Sequence, residues 1–112
     1  FNYSHNNVVN YKELIGSTKQ ILITGREPNG NVIIEDPGVA AKDYYSIVNS
    51  TNTGNLTLTH GTTAGNKVQF TAAQADLSSI ALQDLDKIRM LDIGYNAIPT
   101  NSGNDEMSLK FF

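Results

Sequence analysis

Few side chains in this sequence are of types that carry out catalysis. His5 and His60 are its two histidines, and its cysteine count is zero, which excludes thiol catalysis, disulfide bonds and cysteine-ligated metals. A closed structural zinc site needs four ligands, and no spacing of carboxylates near the histidines supplies them. The sequence also contains no G-x-S-x-G, H-E-x-x-H, P-loop or G-x-G-x-x-G motif. We therefore predict that the protein is not an enzyme, with no catalytic residues and no cofactor.

One segment has the composition of a calcium loop. Asn101–Glu106, with the sequence NSGNDE, places several oxygen donors around a glycine, as hard cations require. It lacks the D-x-[DN]-x-[DN]-G order of a dedicated calcium loop, and Asn, Asp and Gly are also the usual residues of hairpin connections. We predict a connecting loop here, with Ca²⁺ binding as the alternative.

Adjacent tyrosines are the candidate ligand contacts. Tyr44 and Tyr45 each offer a rigid apolar ring with a polar tip, which suits a carbohydrate or receptor surface. In a strand, adjacent side chains point to opposite faces, so one ring would be buried and the other exposed. The sequence has no tryptophan, which weakens the case for a sugar-stacking platform.

Apolar residues at the two ends of the chain are the candidate interface. Burying a phenylalanine is worth about 2 kcal/mol, so the terminal sequence LKFF favours burial. Either the last strand completes the core, or it packs on a neighbouring subunit. The candidate interface residues are Phe1, Tyr3, Val8, Val9, Phe111 and Phe112.

Size, charge and composition limit the classes of partner that the protein can bind. A chain of 112 residues is the size of one domain, and its net charge of −3 with no cluster of Lys or Arg argues against nucleic-acid binding. No apolar run approaches the ~20 residues that span a bilayer. Charged residues make up 17% of the chain, below the roughly 25% of a typical domain, and Asn, Thr, Ser and Gly replace them. Uncharged polar residues favour turns and strand faces over long surface helices.

Apolar residues that alternate with polar ones, between turn signals, predict a β-rich fold. Residues 21–24 and 32–34 flank Pro28-Asn29-Gly30, so we expect a hairpin turn there. Further strands are predicted over residues 43–48, 55–61, 67–72, 87–95 and 107–112.

Two segments depart from this alternation. Thr71 and Gln74 have the spacing of a capping box, which predicts one short helix near residues 72–82. Residues 1–18 have no steady period and predict an irregular N-terminal arm, with one helical turn near residues 11–15. Residues 19–112 are then a single β-sandwich domain.

The segment Leu85–Pro99, LDKIRMLDIGYNAIP, matches the spacing of one leucine-rich repeat. Such repeats bury their apolar faces only against neighbouring copies, and the sequence contains no second copy. We therefore interpret the segment as a strand, with Asn96 at the beginning of a loop.

The region Val68–Asn96, with its FTAA sequence, is similar in outline to immunoglobulin-like modules of bacterial surface adhesins and phage virions. The resemblance implies an immunoglobulin-like, two-sheet antiparallel sandwich of about seven strands. With it we predict a non-catalytic structural or assembly subunit of a virion, filament or cell surface, extracellular in location. Its expected partners are copies of itself or other structural proteins, bound through the N-terminal arm and edge strands. The alternative is an adhesin-like module that binds a carbohydrate or a receptor.

Overall fold

The computed structural model describes residues 1–16 and 18–112, so position 17 of the predicted arm lies outside the described residues. The fold is mostly β, with antiparallel sheets and one short helix. In chain order the elements are β1 (Asn2–Ser4), β2 (Val8–Leu14), β3 (Thr18–Gly25), β4 (Asn29–Glu35), α1 (Tyr44–Val48), β5 (Gly54–His60), β6 (Val68–Leu85), β7 (Ile88–Ala97) and β8 (Ser108–Phe111).

The strands form one large sheet and one hairpin. The large sheet has six strands in the order β1-β4-β7-β6-β5, and β8 pairs with the beginning of β6. Strands β2 and β3 form a separate two-stranded sheet. The predicted two-sheet sandwich is therefore not confirmed, because the second sheet is only a hairpin.

The core lies on one face of the large sheet. Phe70 and Tyr95 are buried there beside three alanines, and Leu91 and Ile93 continue the buried row along β7. The cover comes from α1, which packs on β6, and from Phe1, whose ring centroid lies 4.9 Å from that of Phe70.

The opposite face of the sheet is polar. Asp92 in β7 accepts hydrogen bonds from Asn31 in β4, at 2.9 Å, and from Gln83 in β6, at 3.0 Å. This amide–carboxylate row crosses three strands and faces solvent. Only one face of the sheet therefore needs a cover.

The tyrosine at the centre of the core ties β1 to the sheet. The Tyr95 hydroxyl donates to the Asn2 carbonyl at 3.0 Å. Burial, together with the neighbouring Tyr3, raises the pKa of Tyr95 to about 12. The phenol therefore stays protonated, and able to donate, throughout the neutral range.

The helix predicted near residues 72–82 is wrong, because this segment lies inside the long strand β6. The register of β6 shifts by one residue twice, once opposite Gly54–Leu56 and once between Leu77 and Ser79. Each extra residue is a β-bulge that reverses the alternation of side chains. Apolar residues on the core face therefore recur three positions apart, which imitates the period of a helix.

The strand predicted over residues 43–48 is also wrong, since Tyr44–Val48 form α1. The Asp43 carboxylate caps this helix by accepting from the Ser46 backbone N–H at 3.0 Å and from the Ser46 hydroxyl at 2.7 Å. These hydrogen bonds, the side-chain one first, lower the pKa of the Asp43 carboxyl. The cap outweighs the strand preference of Tyr, Ile and Val.

The hairpin turn predicted at Pro28-Asn29-Gly30 is wrong. Strand β3 pairs with β2, whereas β4 pairs with β1 and β7. Pro28 is buried, its carbonyl accepts from the Ala97 N–H at 2.9 Å, and the next two residues are already in β4. Glycine is needed at position 30 because the Asn2 carbonyl of the paired strand β1 and the Tyr95 hydroxyl occupy the space of a Cβ, and not because of a turn.

The N-terminal segment is more regular than predicted. Residues 2–4 and 8–14 are the strands β1 and β2, so neither the irregular course of residues 1–18 nor the helical turn near residues 11–15 is confirmed. The domain boundary at residue 18 stays a prediction. Asn96 lies exposed in β7, not in a loop, and β7 pairs antiparallel with both neighbours, as an ordinary strand does.

Replacing Gly30 by valine is expected to lower the free energy of unfolding by about 1–3 kcal/mol. A Cβ at this position meets the Asn2 carbonyl oxygen and lies 2.7 Å from the Tyr95 hydroxyl, so β1 has to move away. Urea denaturation measures the effect. Gly54→Val is the control, because a Cβ there meets no atom within 4 Å. Equal free energies of unfolding for the two variants would show that β1 does not lie against Gly30.

Candidate interaction surface

The hairpin of β2 and β3 has one apolar and one polar face. Paired residues of antiparallel strands share a face, and Val9 pairs with Ile23 while Tyr11 pairs with Ile21. We call these four side chains the hairpin face. The reverse side carries mostly polar residues, among them Asn10, Lys12, Gln20 and Thr24, together with two leucines, Leu14 and Leu22. This alternation is typical of strands that are buried on one side.

Nevertheless, the hairpin face lies in solvent. Tyr11 is 58% exposed, and Ile21 is 72% exposed. Within residues 1–16 and 18–112, β2 and β3 contact each other and no other strand or helix. The radius of gyration is 18.1 Å, against about 13 Å for a compact chain of this length, and the hairpin contributes to this elongation.

The base of the hairpin is fixed by a polar cluster. The Arg26 guanidinium contacts the Glu106 carboxylate at 3.3 Å and donates to the Asn104 side-chain oxygen at 2.6 Å. The Glu106 side chain is only 9% exposed, and that of Arg26 is 30% exposed. A largely buried ion pair depends on both partners, so this contact holds the end of β3 against the loop before β8.

Tyr3 and His5 form a second contact near the base of the hairpin, where β1 leads into β2. The Tyr3 hydroxyl is hydrogen-bonded to the His5 ring at 2.5 Å, and the Tyr3 ring lies 5.0 Å from that of Phe70. Burial raises the pKa of Tyr3, with a further contribution from the Glu106 charge and an opposing one from Arg26. His5 therefore occupies a structural position between β1 and the hairpin.

A further apolar surface lies where β8 pairs with β6. Leu109 pairs with Phe70 and Phe111 with Val68, so both side chains lie on the core face. Leu58 of β5 joins them across Phe70. We call Leu58, Leu109 and Phe111 the open end of the sheet, since they are 40%, 50% and 71% exposed.

The predicted interface residues lie in three places. Phe1 and Tyr3 pack on Phe70 in their own chain. Val8 and Val9 lie at the base of β2. The last pair is at the end of β8: Phe111 belongs to the open end, and Phe112 exchanges backbone hydrogen bonds of 3.0 Å with Lys67. Neither Phe1 nor Tyr3 therefore lies on the hairpin face. The role of all six in an interface stays a prediction.

The structure separates the two tyrosines that were predicted to contact a ligand. A cleft of about 380 Å³ lies between α1 and the core face, and Tyr44 lines it, whereas Tyr45 does not. Lys42 is the charged residue of the lining, and its Nζ lies 5.0 Å from the centroid of the Tyr44 ring. The rest of the lining is mainly aliphatic.

The carboxylates of Asn101–Glu106 have protein partners. Asp105 accepts from the Thr100 backbone N–H at 2.8 Å and from the Thr100 hydroxyl, and these hydrogen bonds, the side-chain one first, lower its pKa. Glu106 pairs with Arg26. Among the residues that the structure describes, no three His, Asp or Glu side chains are grouped as a metal site. The geometry of this loop therefore gives the calcium alternative no support.

Comparison with protein-family models, with curated proteins and with solved structures gives no match. In the part of the chain that the structure describes, no helix has the length and apolar character that crossing a bilayer demands. Function is therefore inferred from the chain's own geometry.

Sequence reasoning missed Tyr11, Ile21 and Ile23 as surface residues, and Arg26 and Glu106 as the pair that orients them. A partial signal exists: Val9 and Tyr11 alternate with Asn10 and Lys12, as in an amphipathic strand, whereas Leu22 interrupts the same pattern between Ile21 and Ile23. The ion pair joins positions 80 residues apart, and no local pattern points to it.

Arg26→Ala is expected to lower the free energy of unfolding by about 1–3 kcal/mol, because it leaves the Glu106 carboxylate buried without its charged partner. Glu106→Gln in the Arg26→Ala background should recover part of the loss. Lys19→Ala is the control: its ion pair with Glu13 joins exposed side chains and is worth at most about 1 kcal/mol. Urea denaturation of the variants decides, and equal losses for Arg26→Ala and Lys19→Ala would contradict the structural role of the pair.

Proposed function

We propose that the protein is a non-catalytic structural or assembly module of a virion, a filament or a cell surface, and that copies of it associate through the hairpin. One observation carries the proposal: an amphipathic hairpin projects from the molecule with its apolar face in solvent. A two-stranded hairpin alone is marginally stable in water. The hairpin face therefore gains most from a second molecule that covers it.

The free energy gained by burying the hairpin face is moderate. Full burial of a Val, Ile or aromatic side chain is worth about 1.5–3 kcal/mol, and the four side chains of the hairpin face have more than half of their surface left to bury. Completing their burial contributes on the order of 4 kcal/mol. Association costs at least a comparable amount in lost translational and rotational freedom. Assembly is thus expected at high local concentration, or with a further contact that adds to the hairpin.

Edge strands provide such a further contact. The end of β8 and the outer edge of β5 have unpaired backbone groups on one side in the sheet order of the described strands. An exposed edge accepts a strand from another chain. This supports the part of the proposal in which edge strands take part in assembly.

The cleft beneath α1 supports a second candidate, a module that binds a ligand or receptor. Tyr44 and Lys42 provide polar groups at an otherwise aliphatic cleft, and its volume of about 380 Å³ lies in the range of small-molecule sites. The lining favours a ligand with an apolar body over an unmodified sugar, so the carbohydrate version of this alternative has less support. Assembly remains our first proposal, because all four side chains of the hairpin face are more than half exposed.

The proposed location is extracellular, at a cell surface or in a virion. The support is compositional: uncharged Asn, Thr, Ser and Gly replace part of the charge of an ordinary surface. Surfaces of this kind meet other surfaces with little desolvation of charge.

The double variant Ile21→Thr, Ile23→Thr is expected to weaken self-association at least tenfold in Kd. Threonine keeps the β-branched side chain that suits a strand but removes apolar surface from the hairpin face. Sedimentation velocity over a range of concentrations measures the change. The control is Lys12→Thr, Gln20→Thr on the polar face, which should associate as the parent chain does. A parent chain that stays monomeric at high concentration would overturn the proposal.

A further inference from the structure

We infer that the copies join head to tail, with the hairpin face of one chain covering the open end of the sheet in the next. This rests on the proposed function, and adds to it the surface that receives the hairpin. Both surfaces are faces of antiparallel strands with protruding apolar side chains. Such faces pack as layers about 10 Å apart.

The sizes of the two surfaces correspond. Strand β2 has seven residues and is therefore about 23 Å long, and the pair β2–β3 has the width of two strands. The open end spans β5, the beginning of β6, and β8, which has four residues. One hairpin is thus long enough to lie across these strands and cover Leu58, Leu109 and Phe111.

The hairpin does not cover the open end of its own chain. Arg26 fixes the base of the hairpin through Glu106 and Asn104, in the loop that leads to β8. From this base the two strands run away from the sheet and contact no other element of the described chain. The open end is therefore left to a hairpin that comes from another copy.

A symmetric contact between two hairpins fits less well. It would cover both hairpin faces and leave both open ends in water, where Phe111 is 71% exposed. Large exposed apolar patches are rare on soluble proteins that have no partner. The head-to-tail contact covers both surfaces on every chain except the two at the ends of a filament, each of which leaves one surface free.

A contact between two different surfaces does not close on itself with two copies, so it generates rings or open filaments. Within each contact, a hairpin layer lies over a sheet of another chain. The two-layer sandwich that the sequence predicts would then form between chains instead of within one.

The test mixes two variants that each lack one surface. Ile21→Lys, Ile23→Lys removes the hairpin face, and Leu109→Lys, Phe111→Lys removes the open end. All four residues are at least half exposed, so lysine is tolerated in the folded monomer, and circular dichroism checks this. Each variant alone is expected to be monomeric. A mixture of equal parts is expected to form a dimer of one chain of each kind and nothing larger, by sedimentation velocity.

Ile33→Lys, on the polar face of the sheet, is the matched control and should assemble as the parent chain does. If the open-end variant alone assembles like the parent while the hairpin variant does not, the head-to-tail inference is wrong and the proposed function stands. If the hairpin variant alone assembles like the parent, the proposed function fails as well. A mixture that stays monomeric, when the parent assembles, also overturns the inference.

Discussion

The apolar face of the large sheet must be shielded from water, and the residues that the structure describes shield only part of it. A short helix and the side chains of Phe1 and Tyr3 cover the centre, where Phe70 and Tyr95 are buried. Beyond Phe70 the face continues into β8 without a cover. The only other sheet that the described residues form is a hairpin that points away. The described residues therefore leave the open end of the sheet and the hairpin face exposed to solvent.

The polar cluster at the base of the hairpin fixes the direction in which β2 and β3 leave the large sheet. The buried carboxylate of Glu106 is paired with Arg26, which directly follows the last residue of β3. The same loop holds Asp105 by hydrogen bonds from Thr100. A segment whose composition resembles a calcium loop is therefore held by protein donors, and it fixes the base of the hairpin.

Much of the strand content could be predicted from the sequence, because alternation reports directly on a sheet with one buried face. Residues 56–59 and 88–95 lie in strands as predicted. The failures have physical causes. Two bulges in β6 shift the alternation of apolar and polar residues along that strand. The capping of α1 by Asp43 outweighs the strand preference of the tyrosines.

The proposed interaction surface could be predicted from the sequence only in part. The apolar ends of the chain drew attention, and Phe111 does lie on an exposed apolar face. The cost of exposing a terminal phenylalanine predicts an interface at Phe1, whose ring packs on Phe70 in its own chain while the residue stays 49% exposed. The pairing of β4 with β1 and β7 depends on contacts distant in sequence, so a local turn signal at Pro28-Asn29-Gly30 could not reveal it.

Hydrogen exchange of the β2 and β3 amides, measured at low and at high protein concentration, tests the central claim most directly. Amides of a hairpin that only its own two strands support exchange rapidly, since local opening costs little free energy. We predict weak protection of these amides in the dilute protein and strong protection in the concentrated one, with β7 protected equally in both. Hairpin amides whose protection is the same at both concentrations would contradict the account.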